Sequence, residues 1–364
     1  MIDEIHSIDQ GSSFDKAVRA NSVYNEPAVI TNIGDNPRVS DRICVNGKWF
    51  VGGYSAVKHS GRRIDEIQAN NDYHGSPIQE LQICWILNKL GVKSGHYKVL
   101  VVSVPSDKEF DERLIKTLTE RKKFEFLVAA TGNTETITYD RILIKAQSLG
   151  QQAFWEYVVR DKNEVEPERV INFDIGSYTT DITDIEWNDD AEKYDTLANT
   201  SGSLRGNISM NTFLAKLKEI MLNKNAHLVF DYFKMSKLLW QEKYTLQDGS
   251  EKINFYDDFL KVKEWFNKEA IKCFEPYSDS MRVAEKIVVA GGASKFIDID
   301  TVFYKEKTVV LDTLANAKGQ LILAQQDLGV EDIKLPSSWL IDAQVRKGAV
   351  VGTQVVDSSE VSIH

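Results

Sequence analysis

Apolar and polar positions alternate so as to divide the chain into two passages that follow one plan. In the first, Ile43-Cys44-Val45 and Trp49-Phe50-Val51 flank Asn46-Gly47, a pair suited to the tight turn of a β-hairpin. Ser76-Pro77 predicts a helix start, because proline fits the first helical position and serine the cap before it. Ile78, Leu81, Trp85, Leu87 and Leu90 lay an apolar stripe along that helix, and Gly91 ends it. The run 99–104, apolar but for Ser103 and stopped by Pro105, predicts a strand buried on both faces, as in a parallel sheet. Residues 107–118 then read as a helix, and 137–144 return to β.

The second passage opens with a strand over 170–176, a short turn and a return strand over 180–187. A mostly helical stretch follows over 210–275, with loops near Gly249, before the buried strand Lys286-Ile287-Val288-Val289-Ala290 runs into Gly291-Gly292. Two tandem modules of hairpin followed by helix predict an internal duplication, although no strict sequence repeat is present. The first strand, Glu4-Ile5-His6-Ser7-Ile8, is unusually polar for the centre of a sheet.

A length of 364 residues exceeds one ordinary core and suggests two domains. With 42% hydrophobic and 27% charged residues, the chain has the balance of a folded soluble protein. No apolar run approaches the ~20 residues that span a bilayer. The segment Met1-Ile2-Asp3-Glu4-Ile5-His6 lacks the basic-then-apolar order of a secretory signal, and 358–364 lacks a basic amphipathic pattern. These features predict a cytoplasmic protein with no membrane partner. A net charge of −10 gives no footprint for phosphate-driven DNA binding, so no direct nucleic-acid contact is expected. The densest basic cluster, Arg121-Lys122-Lys123, reads as a solvated helix end. Cys44, Cys84 and Cys273 are widely spaced, which argues for reduced thiols and against structural zinc. The six histidines show no metal-ligand spacing.

Three segments share one chemical design, in which a strand delivers an acid or glycines to a turn where phosphates could sit. In Ile8-Asp9-Gln10-Gly11-Ser12-Ser13-Phe14-Asp15-Lys16, Gly11 lets the backbone approach a phosphate, Ser12 and Ser13 offer hydroxyls, and Lys16 offers a charge. An acidic β-turn produces a similar string by itself. Phe173-Asp174-Ile175-Gly176-Ser177-Tyr178-Thr179-Thr180-Asp181 is more specific. One carboxylate would hold the hydration shell of Mg²⁺, the turn would cradle phosphate, and the second acid would face an attacking water. In Val288-Val289-Ala290-Gly291-Gly292-Ala293-Ser294-Lys295-Phe296, a small-residue turn permits close approach of a nucleotide, although a plain strand–helix connection has the same pattern.

In this order the three segments resemble the phosphate-1, phosphate-2 and adenosine motifs of the actin, Hsp70 and sugar-kinase superfamily. The stretch 142–153 resembles the first connecting segment, with Gln147 where a Gln or Glu orients the attacking water. Ile341-Asp342-Ala343-Gln344-Val345-Arg346-Lys347-Gly348 resembles the second connecting helix, with its small residues at the hinge. Within the superfamily the resemblance is closest to ParM-like bacterial actins, which segregate plasmids. It rests on residues 9–13 with Lys16, the hairpin 45–52, the strand-and-proline Val102-Ser103-Val104-Pro105, and Ser201-Gly202-Ser203-Leu204-Arg205-Gly206, which resembles the turn entering a domain II helix. Tyr178 and Ala293 depart from it, each standing where relatives have glycine.

The resemblance implies an α/β actin-like ATPase fold, a duplicated ribonuclease H-like architecture with a five-stranded mixed sheet in each domain and a nucleotide cleft between them. Domain I would cover 1–165, with a small subdomain at about 30–75 and a C-terminal helix at about 338–356 packing back on it. Domain II would cover 166–337, with a helical subdomain at about 215–280. Mg-ATP, or GTP as the alternative, would contact Asp9, Gly11, Ser12, Ser13, Lys16, Gly176, Ser177, Tyr178, Thr179, Gly202, Gly291, Gly292 and Ala293, and leave ADP after hydrolysis. Asp9 and Asp174 would hold Mg²⁺ largely through water, and Gln147, Asp174 and Asp181 would serve catalysis. The implied partners are further copies in a filament that hydrolysis takes apart, and a separate DNA-binding adaptor. A sugar- or acetate-type kinase is the alternative; it would need a dedicated acidic base, for which Asp107 or Asp181 could be proposed.

Overall fold

The computed structural model describes residues 2–11, 14–20, 22–34, 39–60, 75–104, 111–160, 165–190, 193–197, 199–205, 208–330, 332–336 and 338–339. Its first sheet contains β1 (Ile5–Gln10), β2 (Phe14–Arg19), β3 (Ser22–Pro27), β4 (Ile30–Asn32), β5 (Ile43–Val45), β6 (Lys48–Gly52), β7 (Gly95–Val104), β8 (Lys123–Val128) and β9 (Asn133–Ala146). They lie in the order β3-β2-β1-β7-β9-β8-β5-β6-β4. The second sheet is built from β10 (Arg169–Ile175), β11 (Thr179–Asn188), β12 (Lys193–Thr196) and β13 (Gly202–Arg205). A separate hairpin, β14 (Thr245–Asp248) with β15 (Glu251–Asn254), precedes its last two strands, β16 (Lys286–Ala290) and β17 (Thr308–Val310).

The duplication is visible in the pairing. β3-β2-β1 and β12-β11-β10 are antiparallel meanders, and each is extended by two parallel strands, β7-β9 in one sheet and β16-β17 in the other. The second sheet has six strands rather than the expected five, because β13 is added beside β11. The first grows larger because β9 is 14 residues long, and its leading half pairs antiparallel with β8.

Local chemistry accounts for most elements. Asn46 and Gly47 both adopt positive φ, 51° and 75°, as a two-residue hairpin turn requires. Helix α1 (Gly53–Ser60) follows β6, and α2 (Pro77–Lys89) is capped by Ser76, whose Oγ accepts from the Gln79 N–H at 3.3 Å. The helix read over 107–118 is α3 (Glu112–Glu120), which starts where the Asp111 carboxylate accepts from the Leu114 N–H at 3.0 Å; residues 105–110 lie outside the described residues. The polarity of β1 is resolved by its neighbours. His6 Nδ1 lies 2.6 Å from the Tyr139 hydroxyl, and Gln10 accepts from Gln79 Nε2 at 2.8 Å, so these two buried side chains are paired rather than hydrated.

Two helices tie the sheets together by exchange. α4 (Gln147–Phe154) leaves β9 and packs on β10 and β11 of the other sheet. Beyond it, α5 (Met210–Lys224), α6 (Tyr232–Trp240) and α7 (Tyr256–Phe274) form, with β14 and β15, a mostly helical unit between β13 and β16. The loops expected near Gly249 are that short hairpin, with Gly249 at φ +57°. Finally α8 (Ala315–Asp327) leaves β17 and packs on β1, β2 and β7 of the first sheet.

α4 and α8 cross where Gly150 meets Gly319. A Cβ on Gly319 would overlap the Gly150 carbonyl and lie 2.8 Å from the Phe154 nitrogen. The hinge segment expected at 341–348 lies outside the described residues, as does 338–356 apart from residues 338 and 339. Among the described residues α8 makes the second crossing, and it packs on the first sheet although it falls inside the expected 166–337 domain. The small residues Ala315, Ala317 and Gly319 permit this. No helix among the described residues is long and apolar enough to cross a membrane.

Candidate functional site

The tips of two equivalent hairpins converge between the sheets. Asp9 stands opposite Lys16 across β1–β2, and Asp174 stands opposite Asp181 across β10–β11, at the same spacing in both. In each, the glycine two residues beyond the acid closes the turn. The Gly11 N–H donates to the Phe14 carbonyl at 3.2 Å, and the Gly176 N–H donates to that of Thr179 at 2.9 Å. A Cβ on Gly11 would sit 2.6 Å from the Phe14 oxygen, so the first turn requires glycine. The duplicated device differs at one position that matters for charge, where the first copy has lysine and the second an acid.

Lys16 Nζ donates to Asp9 Oδ2 at 3.1 Å. Gln147, the first residue of α4, donates through Nε2 to Asp9 Oδ1 at 3.1 Å and to the Gln10 carbonyl at 3.4 Å. Burial pushes the Asp174 carboxyl up to about 6; Lys16 pulls it down and Asp9 pushes it further up. Burial also raises Asp15 well above the carboxylate range, and Asp9 adds to that. Desolvation disfavours the Lys16 ammonium, but Asp9, Asp174 and Asp15 around it leave its pKa above the ordinary value. The cluster therefore concentrates buried acids around a lysine, an arrangement that attracts further positive charge.

These groups border a cavity of about 290 Å³. Of the residues expected at a site, Gly11, Lys16, Gln147, Asp174, Gly176, Ser177, Thr179, Asp181 and Gly292 line it. Asp9, 1% exposed, lies behind Lys16 and Gln147. Gly291 supports the site from below: its φ is +96°, and a Cβ there would lie 2.5 Å from Asp174 Oδ1. Ala293 is buried, its N–H donating to the Ile175 carbonyl at 2.9 Å, and Tyr178 follows Ser177 in the turn without lining the cavity. Ser12 and Ser13 lie outside the described residues. Gly202, read as part of a turn, is in β13 opposite Ile182 and is not among the lining residues.

Sequence reasoning missed a whole wall of the cavity. Phe14, Asn25 and Tyr54 line it from the first sheet's side, and Lys237, Trp240 and Gln241 from α6. The two sides touch: the Phe14 and Phe233 rings meet edge to face at 6.2 Å, and the Lys237 ammonium stands 5.2 Å from the centre of the Tyr54 ring. The α5 N-terminus is tied to the second hairpin, since Met210 and Asn211 donate to the carbonyls of Gly176 and Ser177 at 3.0 and 2.9 Å.

The sequence matches no protein-family model and no curated protein. The structure is similar to solved ones. A 15-stranded ParM filament from Clostridium botulinum aligns at 16% identity and TM-score 0.71, over 88% of this chain and 99% of that one. The archaeal actin homolog Ta0583, in complex with ADP, aligns at 14% identity and TM-score 0.68, over 88% and 99%. The actin-like protein Alp7A aligns at 14% identity and TM-score 0.67, over 95% and 99%. The chain has the actin-like ATPase fold.

Proposed function

We propose that the cleft binds a magnesium nucleoside triphosphate, ATP before GTP, and hydrolyses it. The nucleotide state then controls head-to-tail assembly of the chain into filaments that move or segregate plasmid DNA through a separate DNA-binding adaptor. The observation that carries the reading is the pair of equivalent hairpin tips around one cavity, with Lys16 in one and Asp181 in the other. Filaments and an ADP complex among the similar structures support it.

Asp9 and Asp174 at the two hairpin tips are hard oxygen donors, the kind that magnesium takes. Two carboxylates acting mainly through water suit an ion that gives up its hydration shell reluctantly. When bound there, the ion supplies positive charge to the phosphate oxygens. Lys16 supplies a second charge, and Ser177 and Thr179 offer hydroxyl donors from the turn. Alignment and charge stabilisation dominate phosphoryl transfer, so little covalent work falls to the protein. Gln147 is held by its amide nitrogen on Asp9, which leaves its carbonyl oxygen to accept from the attacking water. Asp181, lining the cavity on the return strand, polarises that water.

Gln147→Ala is expected to slow phosphate release about 100-fold and to leave nucleotide affinity within about threefold. Single-turnover phosphate release and equilibrium titration measure the two; an unchanged rate removes the residue from the mechanism. Because α6 touches the first domain beside the cavity, Phe233→Ala is expected to speed nucleotide dissociation about fivefold. Stopped-flow displacement of a fluorescent nucleotide reads this directly, and an unchanged rate would mean that the Phe14–Phe233 contact does not retain ligand.

Light scattering of the purified protein with Mg-ATP, Mg-ADP or no nucleotide, followed by negative-stain microscopy, tests the whole reading. Nucleotide-dependent filaments with phosphate released in the absence of an acceptor are expected. Clear solutions in every state, with phosphate released only when a small-molecule acceptor is added, would replace the filament ATPase by a kinase.

A further inference from the structure

We propose that Trp240 is the platform on which the nucleobase stacks, and that the Gln241 side chain reads the base edge in favour of adenine. The inference rests on the nucleotide reading of the cleft and goes further, to the residues that choose the base.

The hairpin tips with Asp174, Lys16 and Gly176 take the phosphate end of the cavity, so the base must lie toward another wall. Trp240 and Gln241, at the end of α6, line the same cavity as Gly292. One residue ties that end of α6 to the turn after β16. Lys295, in the turn that begins at Gly291, donates Nζ to the Trp240 carbonyl at 3.0 Å and pairs with Glu242 at 3.0 Å. Its ammonium also stands over the Trp240 ring, 5.3 Å from the centroid. The tryptophan is therefore tied to the glycine turn by two interactions with one side chain, which a third anchors to Glu242.

The same cavity is open at Gly292. A Cβ there would meet nothing within 4 Å, whereas one on neighbouring Gly291 would meet Asp174 Oδ1 at 2.5 Å. Trp240 is 36% exposed, a large apolar surface left facing solvent and the cavity while Lys295 covers part of the ring. A stacked base would cover that surface. Of the cavity's other aromatic rings, Phe14 is engaged by Phe233 and Tyr54 by Lys237, both in contacts that bridge the two sides. Stacking alone accepts any base, because every base has a π-face. Discrimination needs a directional group, and the Gln241 amide has a donor and an acceptor side by side, matching the N6–H₂ and ring nitrogen of an adenine edge.

The test is calorimetric titration of the full chain with the magnesium complexes of ATP, GTP and inorganic tripolyphosphate. Trp240→Leu is expected to weaken ATP and GTP at least about tenfold while tripolyphosphate stays within about twofold. Trp240→Phe, which keeps an aromatic face, should retain most of the affinity, so that a folding defect in the leucine variant cannot imitate the result. Gln241→Glu should lower the ATP-to-GTP affinity ratio about tenfold, since a carboxylate accepts from the guanine N1–H and N2–H₂ but not from an adenine ring nitrogen. Equal losses of ATP and tripolyphosphate in Trp240→Leu, or none for ATP, would overturn the platform, and an unchanged ratio in Gln241→Glu would overturn the edge reading. Wild-type protein that binds tripolyphosphate as tightly as ATP would remove the base platform and keep the phosphate site. Wild-type protein that binds none of the three would remove the nucleotide reading itself.

Discussion

Asp174→Asn is expected to lose nearly all nucleotide hydrolysis and, at the same time, to make the nucleotide-free protein more stable. The loss follows from the carboxylate's place at the hairpin tip, within electrostatic reach of Asp9 and Lys16 and on the cavity wall. Removing its charge takes away half of the proposed magnesium ligand set, and turnover should fall at least about 100-fold. The gain follows from the same burial. Asp174 ionises near 3.8 in an unfolded chain and near 6 in the fold, so the folded state binds the extra proton between those values. The cost of the buried charge therefore appears as pH rises through that window and is fully present above about 6. An asparagine is neutral at every pH and escapes it, by roughly 3 kcal/mol at pH 8 and by little at pH 4. Urea denaturation at the two pH values, without nucleotide, measures the difference, and phosphate release measures the loss. An Asp174→Asn protein less stable than wild type at pH 8 would mean that attraction to Lys16 outweighs burial. One that hydrolyses at the wild-type rate would end the metal-holding role.

The opposed signs express a general tension at such sites. A carboxylate cluster that awaits a cation is strained without it, and binding of the charged ligand relieves that strain. In this chain Asp15 adds to the tension, being buried next to Asp9 and pushed to a high pKa without lining the cavity.

How much of this was legible in the sequence divides along one physical line. Each hairpin tip is a local object: acid, glycine and the residue opposite lie within ten positions, and turn chemistry writes itself into residue types. Asp9, Gly11, Lys16, Asp174, Gly176 and Asp181 were therefore recoverable from short strings. The α6 wall was not, because Tyr54, Lys237 and Trp240 meet at the cavity only after two sheets and a helical insertion have been laid down. A lone tryptophan at the end of an amphipathic helix has no local mark that distinguishes a cavity wall from a core residue. The polarity of β1 was legible as an anomaly, but its explanation sits on β9 and α2, where Tyr139 and Gln79 answer His6 and Gln10. The crossing of α4 and α8 was not legible either: the small residues at 315–319 take on meaning only through the close approach of Gly150, which no local string records.

That close approach supports the second large prediction. Gly319→Ala is expected to destabilise the protein by about 3 kcal/mol or more and to depress hydrolysis with it. The added methyl would overlap the Gly150 carbonyl oxygen, lie 2.5 Å from its carbon and 2.8 Å from the Phe154 nitrogen, all backbone atoms with no rotamer to yield. The helices must move apart instead. Since α4 rests on the second sheet and α8 on the first, parting them separates the sheets and with them the Asp9 and Asp174 hairpins. The hydrogen bond from Gln320 Nε2 on α8 to the Ala146 carbonyl at the start of α4, 3.2 Å long, would be strained by the same movement. Gly292→Ala is the control for stability, because a Cβ there meets nothing within 4 Å and should change unfolding free energy by no more than about 0.5 kcal/mol. Thermal unfolding of both variants, with hydrolysis measured on the Gly319→Ala protein, decides the matter. If Gly319→Ala melted with wild type and hydrolysed as fast, the two sheets would have to be joined by something other than this crossing.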